Sequence, residues 1–316
     1  FYAPAQIVRD ARDHGVETRP VCLNHSEWDN TLERRGDGAL ALRLGFRQIK
    51  GLREEDARWI VAARGNGYRD PESVWLRAGV APAVLERLAE ADGFADMGLT
   101  RRDALWAVRA IRGQKPLPLF NDPIDGEAIH EPAVTLPPMH LGEEVVEDYV
   151  SMRLTLRAHP MELLRPSMPG LTRHDALLTA PLERRSICGL VITRQRPGTA
   201  SGVVFLTLED ETGVANVVVW RKVFERFRRP VMGGRLLRVT GPLQREGQVV
   251  HLIAQEIEDL SHRLGDLGHP LSEVVGGTTS VTDNLPKEQP RASTRSPSAR
   301  HPRDQAKKLF PSRDFH

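Results

Sequence analysis

The chain is poor in groups that cross-link, stack or span. Of its 316 residues only two are cysteine, Cys22 and Cys188, and aromatics make up 5%. Two cysteines so far apart exclude the disulfide frameworks of small secreted domains. Read by spacing, neither has a Cys or His companion of the kind a metal needs, so both are expected as reduced core residues and no metal site is expected in the chain. No run approaches the roughly 18 apolar residues of a membrane helix, and no charged-then-apolar leader precedes a small-residue cleavage site. A cytoplasmic protein with no membrane partner is the expectation. Charge of one sign is missing too, because 44 Lys and Arg face 42 Asp and Glu for a net +2. Any contact with a polyanion must therefore use local patches.

What is present begins with residues 202 to 220, which read as two strands joined by a tight acidic turn. Val203 to Leu208 and Val214 to Trp220 are β-branched, aromatic or apolar, suited to a mostly buried pleated surface. Asp210 can bond its own backbone, and Gly213 can adopt a positive φ, so the turn carries its own register. Segments 186–193, 235–240 and 248–257 bring the count to five strands, with Val223, Phe224 and Phe227 at helical spacing between the third and fourth. That order predicts an OB-fold barrel. Its two flanking loops, 194–201 and 244–247, carry Arg194, Arg196 and Arg245, expected as nucleic-acid contacts. Over residues 185–258, eleven Lys and Arg face seven Asp and Glu. The excess suits a groove that follows phosphates. A solvated barrel that touches only neighbouring domains is the competing reading.

Upstream, a helix at 4–12 and a short strand at 16–21 precede a polar stretch, 24–38, expected as loop. A helical region then runs from about Leu44 to Arg112, broken by glycines. Ile49-Lys50-Gly51-Leu52 opens one amphipathic helix, and Ala78-Gly79-Val80-Ala81 opens another. A Gly-containing turn at a helix N-terminus leaves backbone N–H groups and the positive end of the helix dipole facing a phosphate. This is the layout of a tandem helix-hairpin-helix module, with a further helix at 101–111. Lys50, Gly51, Leu52 and Gly79 are its expected DNA contacts, Lys50 adding a mobile cation, and the uncharged second turn is expected as the structural partner. A plain helical bundle with glycine caps would show a similar pattern. Trp59, Trp75 and Trp106 are expected in the core.

Next comes Gln114-Lys-Pro-Leu-Pro-Leu-Phe120. Its spacing matches the peptide by which bacterial polymerases and repair factors hold the sliding clamp, with Leu117, Leu119 and Phe120 for an apolar pocket and Gln114 for its rim. Docking back onto the helical module is the alternative. Residues 121–150 hold eight acidic side chains and no Lys or Arg, an acidic connector that DNA would repel. A helix is expected over 143–159, with a capping role for His159. From 261 onward, Pro, Ser, Gly and Thr without periodicity predict a mostly disordered tail.

The expected architecture is multidomain α+β: a helical tandem helix-hairpin-helix module, a five-stranded OB barrel and a disordered C-terminal tail. Five stretches carry a resemblance that spans nearly the whole chain: 1–12, Leu44 to Asp56, Gly142 to Tyr149, Arg196 to Trp220, and the terminal Ser312-Arg-Asp-Phe-His316. They resemble the C-terminal part of bacterial C-family DNA polymerases, the DNA polymerase III alpha-subunit family, and more narrowly its error-prone, damage-inducible branch. The chain starts at Phe1, within a helical pattern, so it is expected to be a fragment.

The resemblance implies the end of the fingers region at 1–42, the hairpin module at 43–113, a Pro-rich acidic linker at 114–180, the OB domain at 181–260 and the tail at 261–316. It also implies translesion DNA synthesis in the parent, with primed DNA, single-stranded template, the sliding clamp and accessory mutagenesis proteins as partners. The palm aspartates that hold two Mg2+ ions for nucleotidyl transfer would lie upstream, so no residue here is expected to be catalytic and the fragment alone is expected to be inactive. A replicative alpha subunit, or a stand-alone binding module without catalysis, are the alternatives.

Overall fold

The computed structural model describes residues 3–111, 136–197, 202–247, 249–268 and 313–315. The chain divides into two compact units, Phe1–Met139 with Glu147–Leu156, and His140–Val146 with Arg157–His316. Residues 112–135 and the central part of the tail lie outside the description, and with them the Gln114–Phe120 peptide.

The first unit starts with α1 (Pro4–Asp13), where proline takes the first helical position and its missing N–H costs nothing. Three short strands follow, β1 (Thr18–Arg19), β2 (Thr31–Arg34) and β3 (Leu40–Arg43), in the order β1-β3-β2. The strand expected at 16–21 is thus two residues long, and part of the expected loop at 24–38 is strand. Sequence pattern missed β2 because Thr31-Leu-Glu-Arg34 alternates between half-buried and exposed and lacks an apolar face. Charge holds this ribbon instead. Glu33 accepts from Arg43 at 2.8 and 3.0 Å and from Arg19 at 2.6 Å, and the Arg43 bonds, with help from Arg19, hold its carboxyl down to about 2.

A 3-10 turn, Phe46–Gln48, leads into α2 (Glu54–Ala62), α3 (Pro71–Ala78), α4 (Pro82–Glu90) and α5 (Arg101–Ala110). The starts are written locally. Asp70 caps α3 by accepting from the Ser73 N–H at 2.7 Å, while the Ser73 hydroxyl takes the Asp70 N–H at 3.3 Å, a reciprocal box. Thr100 caps α5 through the Asp103 N–H. Phe46, Ile60, Leu85, Leu88 and Phe94 are fully buried between these helices. Each such side chain contributes roughly 1.5–3 kcal/mol by leaving water.

Helix α6 (Leu141–Ser151) is shorter than the expected 143–159. The chain leaves it at Arg153, which has a positive φ of 62°. Within the first unit Asp148 forms a buried ion pair with Arg101 at 2.6 Å, Arg101 also donates to the Glu90 carbonyl, and Thr155 donates to Asp148 at 2.7 Å. Removing one charge of such a pair costs about 3–5 kcal/mol, because the other stays buried. His159 does cap, but at the start of a new helix, α7 (Pro160–Leu164), where its Nδ1 accepts from the Met161 N–H at 3.1 Å. Residues 157–180, expected as linker, bury Met161, Leu163, Leu164, Met168 and Leu177.

The second unit is a closed barrel. Its strands are β4 (Arg184–Gln195), β5 (Val204–Glu209), β6 (Val214–Val219), β7 (Leu236–Glu246) and β8 (Val249–Ile253). The order β4-β5-β6-β8-β7 returns to β4 through seven residue pairs, Arg184 with Pro242 to Leu190 with Leu236, and β6 meets β8 in parallel. This is the five-stranded OB ring. Val204, Leu206 and Leu208 face inward with Ala215, Val217 and Val219, as the period of two requires.

Two departures concern length. The strand expected at 248–257 is split into β8 and β9 (Glu256–Asp259), the latter pairing with β7. The single helix expected at 221–230 is two short ones, α8 (Arg221–Arg226) and α9 (Arg228–Gly233). A last strand, β10 (Arg313–Phe315), pairs in parallel with Thr193–Gln195 of β4. These residues lie beyond a register shift between Val191 and Thr193, where β4 has left β7 and its outer edge is open.

Candidate nucleic-acid interface

In the first hairpin Ile49 and Leu52 are buried and pin the turn to the helical core, while Lys50 between them is exposed. Leu52, expected as a contact, therefore offers backbone only. Gly51 has φ +77°, a conformation that a Cβ would strain. No side chain caps α2, so its first N–H groups are not covered by a cap. Two features weaken this turn as a candidate phosphate site. The Lys50 N–H is spent on the Ser151 carbonyl at 2.8 Å, and Glu54, Glu55 and Asp56 fill the first turn of α2. Arg53 and Arg58 offset two of these carboxylates, at 3.0 Å to Asp56 and 2.5 Å to Glu54.

The second hairpin closes on Gly79, which ends α3 in the left-handed region at φ +67° and gives its N–H to Trp75. Helix α4 then starts without a side-chain cap and without any acidic residue in its first turn. By charge alone this uncharged turn repels phosphate less than the first one does. The two turns are linked by a residue that sequence reading missed: Arg87 of α4 donates to the Gly51 carbonyl at 2.6 Å, and its guanidinium lies 3.5 Å from where a Gly51 Cβ would stand.

The tryptophans need correction. Trp75 is in the core, but Trp59 and Trp106 are each 60% exposed. Helical spacing placed them on the wrong side because α2 and α5 bury narrow stripes, Ala57 with Ile60 and Ala104 with Val108, that these indoles do not join.

On the barrel the three expected arginines separate. Arg194 is a correction: it is 4% exposed, and its Nε donates to the Val231 carbonyl at 2.6 Å while an Nη donates to that of Gly234. It fastens the end of α9 to β4. Arg196 is exposed, with its guanidinium 5.2 Å from the centre of the Phe224 ring. Arg245 is exposed beside the β7–β8 turn and donates to the carbonyl of Leu178 at 2.7 Å. Trp220, expected to be largely buried, is 53% exposed where β6 passes into α8, and Arg221 next to it packs against Gly202. Arg196 thus lies over the buried ring of Phe224, while Trp220 stands exposed at the residue before α8. Between the loops, the outward face sets Phe205 against Val218 and Asn216 against His251.

Beneath the β5–β6 turn lies a buried polar network. Asp210 accepts from the Thr212 N–H, the Thr212 hydroxyl and the Gly213 N–H at 2.7–3.0 Å, and from the His174 N–H and Arg165 at 3.0 and 2.8 Å. The self-bonding expected of Asp210 is present. Gly213, however, is not among the positive-φ residues, because the carboxylate closes the turn without one. Burial lowers the His174 pKa, so its ring is neutral near pH 7. Burial alone would raise Asp210, but His174 and the Thr212 and His174 bonds leave it below its ordinary value.

Both cysteines are buried and free, and burial pushes the Cys188 thiol up to about 12. Cys22 is less isolated than its sequence context suggested. It has His25 three residues on, and the fold adds Asp96: one ligand atom from each lies within 4.8 Å of the others, a grouping no other His, Cys, Asp or Glu set forms among the described residues. The Cys-x2-His spacing is visible in the sequence, whereas Asp96 comes from the turn before α5. Burial, with Asp96 adding to it, raises the Cys22 thiol to about 11. No helix among the described residues is long and apolar enough to cross a membrane.

Comparison with known proteins accounts for both modules. A helix-hairpin-helix motif family matches residues 15–104, and an OB-fold nucleic acid binding domain family matches 186–260. The whole chain is 78% identical to an error-prone DNA polymerase of Ruegeria pomeroyi, covering 28% of that protein. It is 44% identical along its whole length to error-prone DNA polymerase 1 of Agrobacterium fabrum, 31% of which it covers. Against error-prone DNA polymerase 1 of Rhizobium meliloti it is 47% identical over 84% of the chain and 26% of the relative. The chain therefore spans under a third of the length of these curated relatives, and over that span it is similar to error-prone DNA polymerases.

Proposed function

We propose that this chain is the DNA-holding C-terminal portion of an error-prone DNA-directed DNA polymerase, a nucleotidyltransferase of damage-induced mutagenesis and translesion synthesis. The observation that carries this is the pairing, in one polymerase-like chain, of a double hairpin bearing exposed Lys50 with a closed barrel bearing exposed Arg196 and Trp220. The hairpins grip duplex through Lys50, the Gly51 turn and the start of α4 beyond Gly79. The OB face holds single-stranded template, with Arg196 and Arg245 near its phosphates and Trp220 available to stack on a base. Neither contact needs sequence readout, which suits an enzyme that must pass damaged template.

Nucleotidyl transfer and the Mg2+ ions that support it belong to the parts of the relatives that this chain does not span. The chain's own contribution is to hold primed DNA. Gln114, Leu117, Leu119 and Phe120 are the proposed grip on a sliding clamp, and accessory mutagenesis proteins complete the set of partners.

The test is binding of the full chain to a primed template across a salt series, followed by primer extension with nucleotides and Mg2+. Affinity that falls steeply with salt, without extension, is expected. Salt-independent or absent binding would overturn the DNA-holding role, and extension by this chain alone would overturn the division of labour.

A further inference from the structure

We propose that Cys22, His25 and Asp96 form a binding site for one borderline-soft divalent transition metal, with zinc as the test case, joining the loop after β1 to the turn before α5. The donor set is thiol, imidazole and carboxylate. That combination suits zinc and its neighbours, whereas Mg2+ and Ca2+ select oxygen ligands.

The donor atoms already lie within 4.8 Å of one another. Ligands bound to tetrahedral zinc at about 2.0–2.3 Å stand about 3.5 Å apart, so closure needs side-chain movements of about 1 Å. The backbone that carries two of the ligands is fixed. Ser26 and His25 donate their N–H groups to the Cys22 carbonyl at 2.8 and 3.2 Å, the Cys22 N–H goes to the Ser26 hydroxyl at 2.9 Å, and that hydroxyl donates to Leu44.

The third ligand is oriented as well. Asn24 donates to the Asp96 carboxylate at 2.8 Å, and Asn24 is itself held by the Tyr68 backbone, accepting its N–H at 2.7 Å and donating to its carbonyl at 3.1 Å. Hydrogen-bond partners of this kind fix carboxylate ligands in metal sites. Cys22 is buried, while His25 and Asp96 are exposed, which gives the ion a path inward and leaves the fourth position to water. The thiol proton passes to solvent as the metal–sulfur bond forms.

The experiment is titration of the metal-stripped full chain with Co2+, followed by competition with Zn2+ and, separately, with Mg2+. One equivalent should bind with a thiolate-to-cobalt charge-transfer band and the strong visible bands of four-coordinate cobalt, and Zn2+ but not Mg2+ should abolish both. His25→Ala, Cys22→Ser and Asp96→Asn should each weaken binding by at least about tenfold. His25 is exposed, so its variant tests the site even if the buried Cys22→Ser change unfolds the chain. Absence of the thiolate band at one equivalent would overturn the proposal. So would a band that persists unchanged in His25→Ala and Asp96→Asn, which would mean cobalt on the thiol alone.

Discussion

Arg87, on the helix that the second hairpin opens, donates to the carbonyl of Gly51 in the turn of the first at 2.6 Å. The tandem arrangement is thereby one structural device, since a residue of one hairpin sets the geometry of the other. Arg87→Gln should lower affinity for duplex DNA by about tenfold or less while leaving the salt slope nearly unchanged, because this guanidinium is engaged with protein. Lys50→Ala should reduce the slope by about one. Gly51→Ala should cost about 1–2 kcal/mol of stability through its left-handed φ. Fluorescence anisotropy across a salt series, with chemical denaturation for Gly51→Ala, measures all three.

Arg194 and Arg196 stand two residues apart and should behave oppositely. Arg194→Ala leaves the Val231 and Gly234 carbonyls without their buried donor, at about 1–3 kcal/mol for each group, so the barrel should melt earlier. Arg196→Ala should leave the melting temperature unchanged and weaken single-strand binding. Thermal melts beside binding curves would show the reverse assignment if Arg194 were the DNA contact.

The second unit should lose stability in acid. The folded His174 pKa lies below 6.5, so the unfolded chain takes up its proton first, and stability falls as pH drops through about 6.5. Asp210 is depressed as well, so its contribution is full above 3.8 and is lost as pH falls through its lower folded value. Denaturant midpoints from pH 8 to pH 5 should therefore decline, and His174→Gln should flatten the decline above pH 5. An unchanged slope in that variant would remove His174 from the account.

Deleting Ser312–His316 should uncover the outer edge of β4. Amide hydrogen exchange within Thr193–Gln195, where β10 pairs, should quicken, while that of Ile187 to Leu190, paired with β7, should not.

Much of the barrel was legible because its strands carry period-two apolar runs and its acidic turn carries Asp210, all local signals. The hairpin turns were legible for the same reason, each being an apolar-glycine pattern before an amphipathic helix. What escaped was decided between distant residues. Arg87 reaches Gly51 across the module, Arg194 looked like a surface cation until α9 packed over it, and Asp96 joins Cys22 only after folding. Trp59 and Trp220 were misjudged because composition says how apolar a side chain is, and only packing says which flank of the helix or strand is covered.

The central claim is a division of labour between two surfaces. Its most direct measurement is the affinity of the parent chain, Lys50→Ala and the double variant Arg196→Ala with Trp220→Ala, each for a blunt duplex and for a single strand of equal length. Lys50→Ala should weaken duplex binding more than single-strand binding, and the double variant should do the opposite, with loss of stacking alone worth about 1–3 kcal/mol. Equal losses on both substrates in both variants would contradict the account.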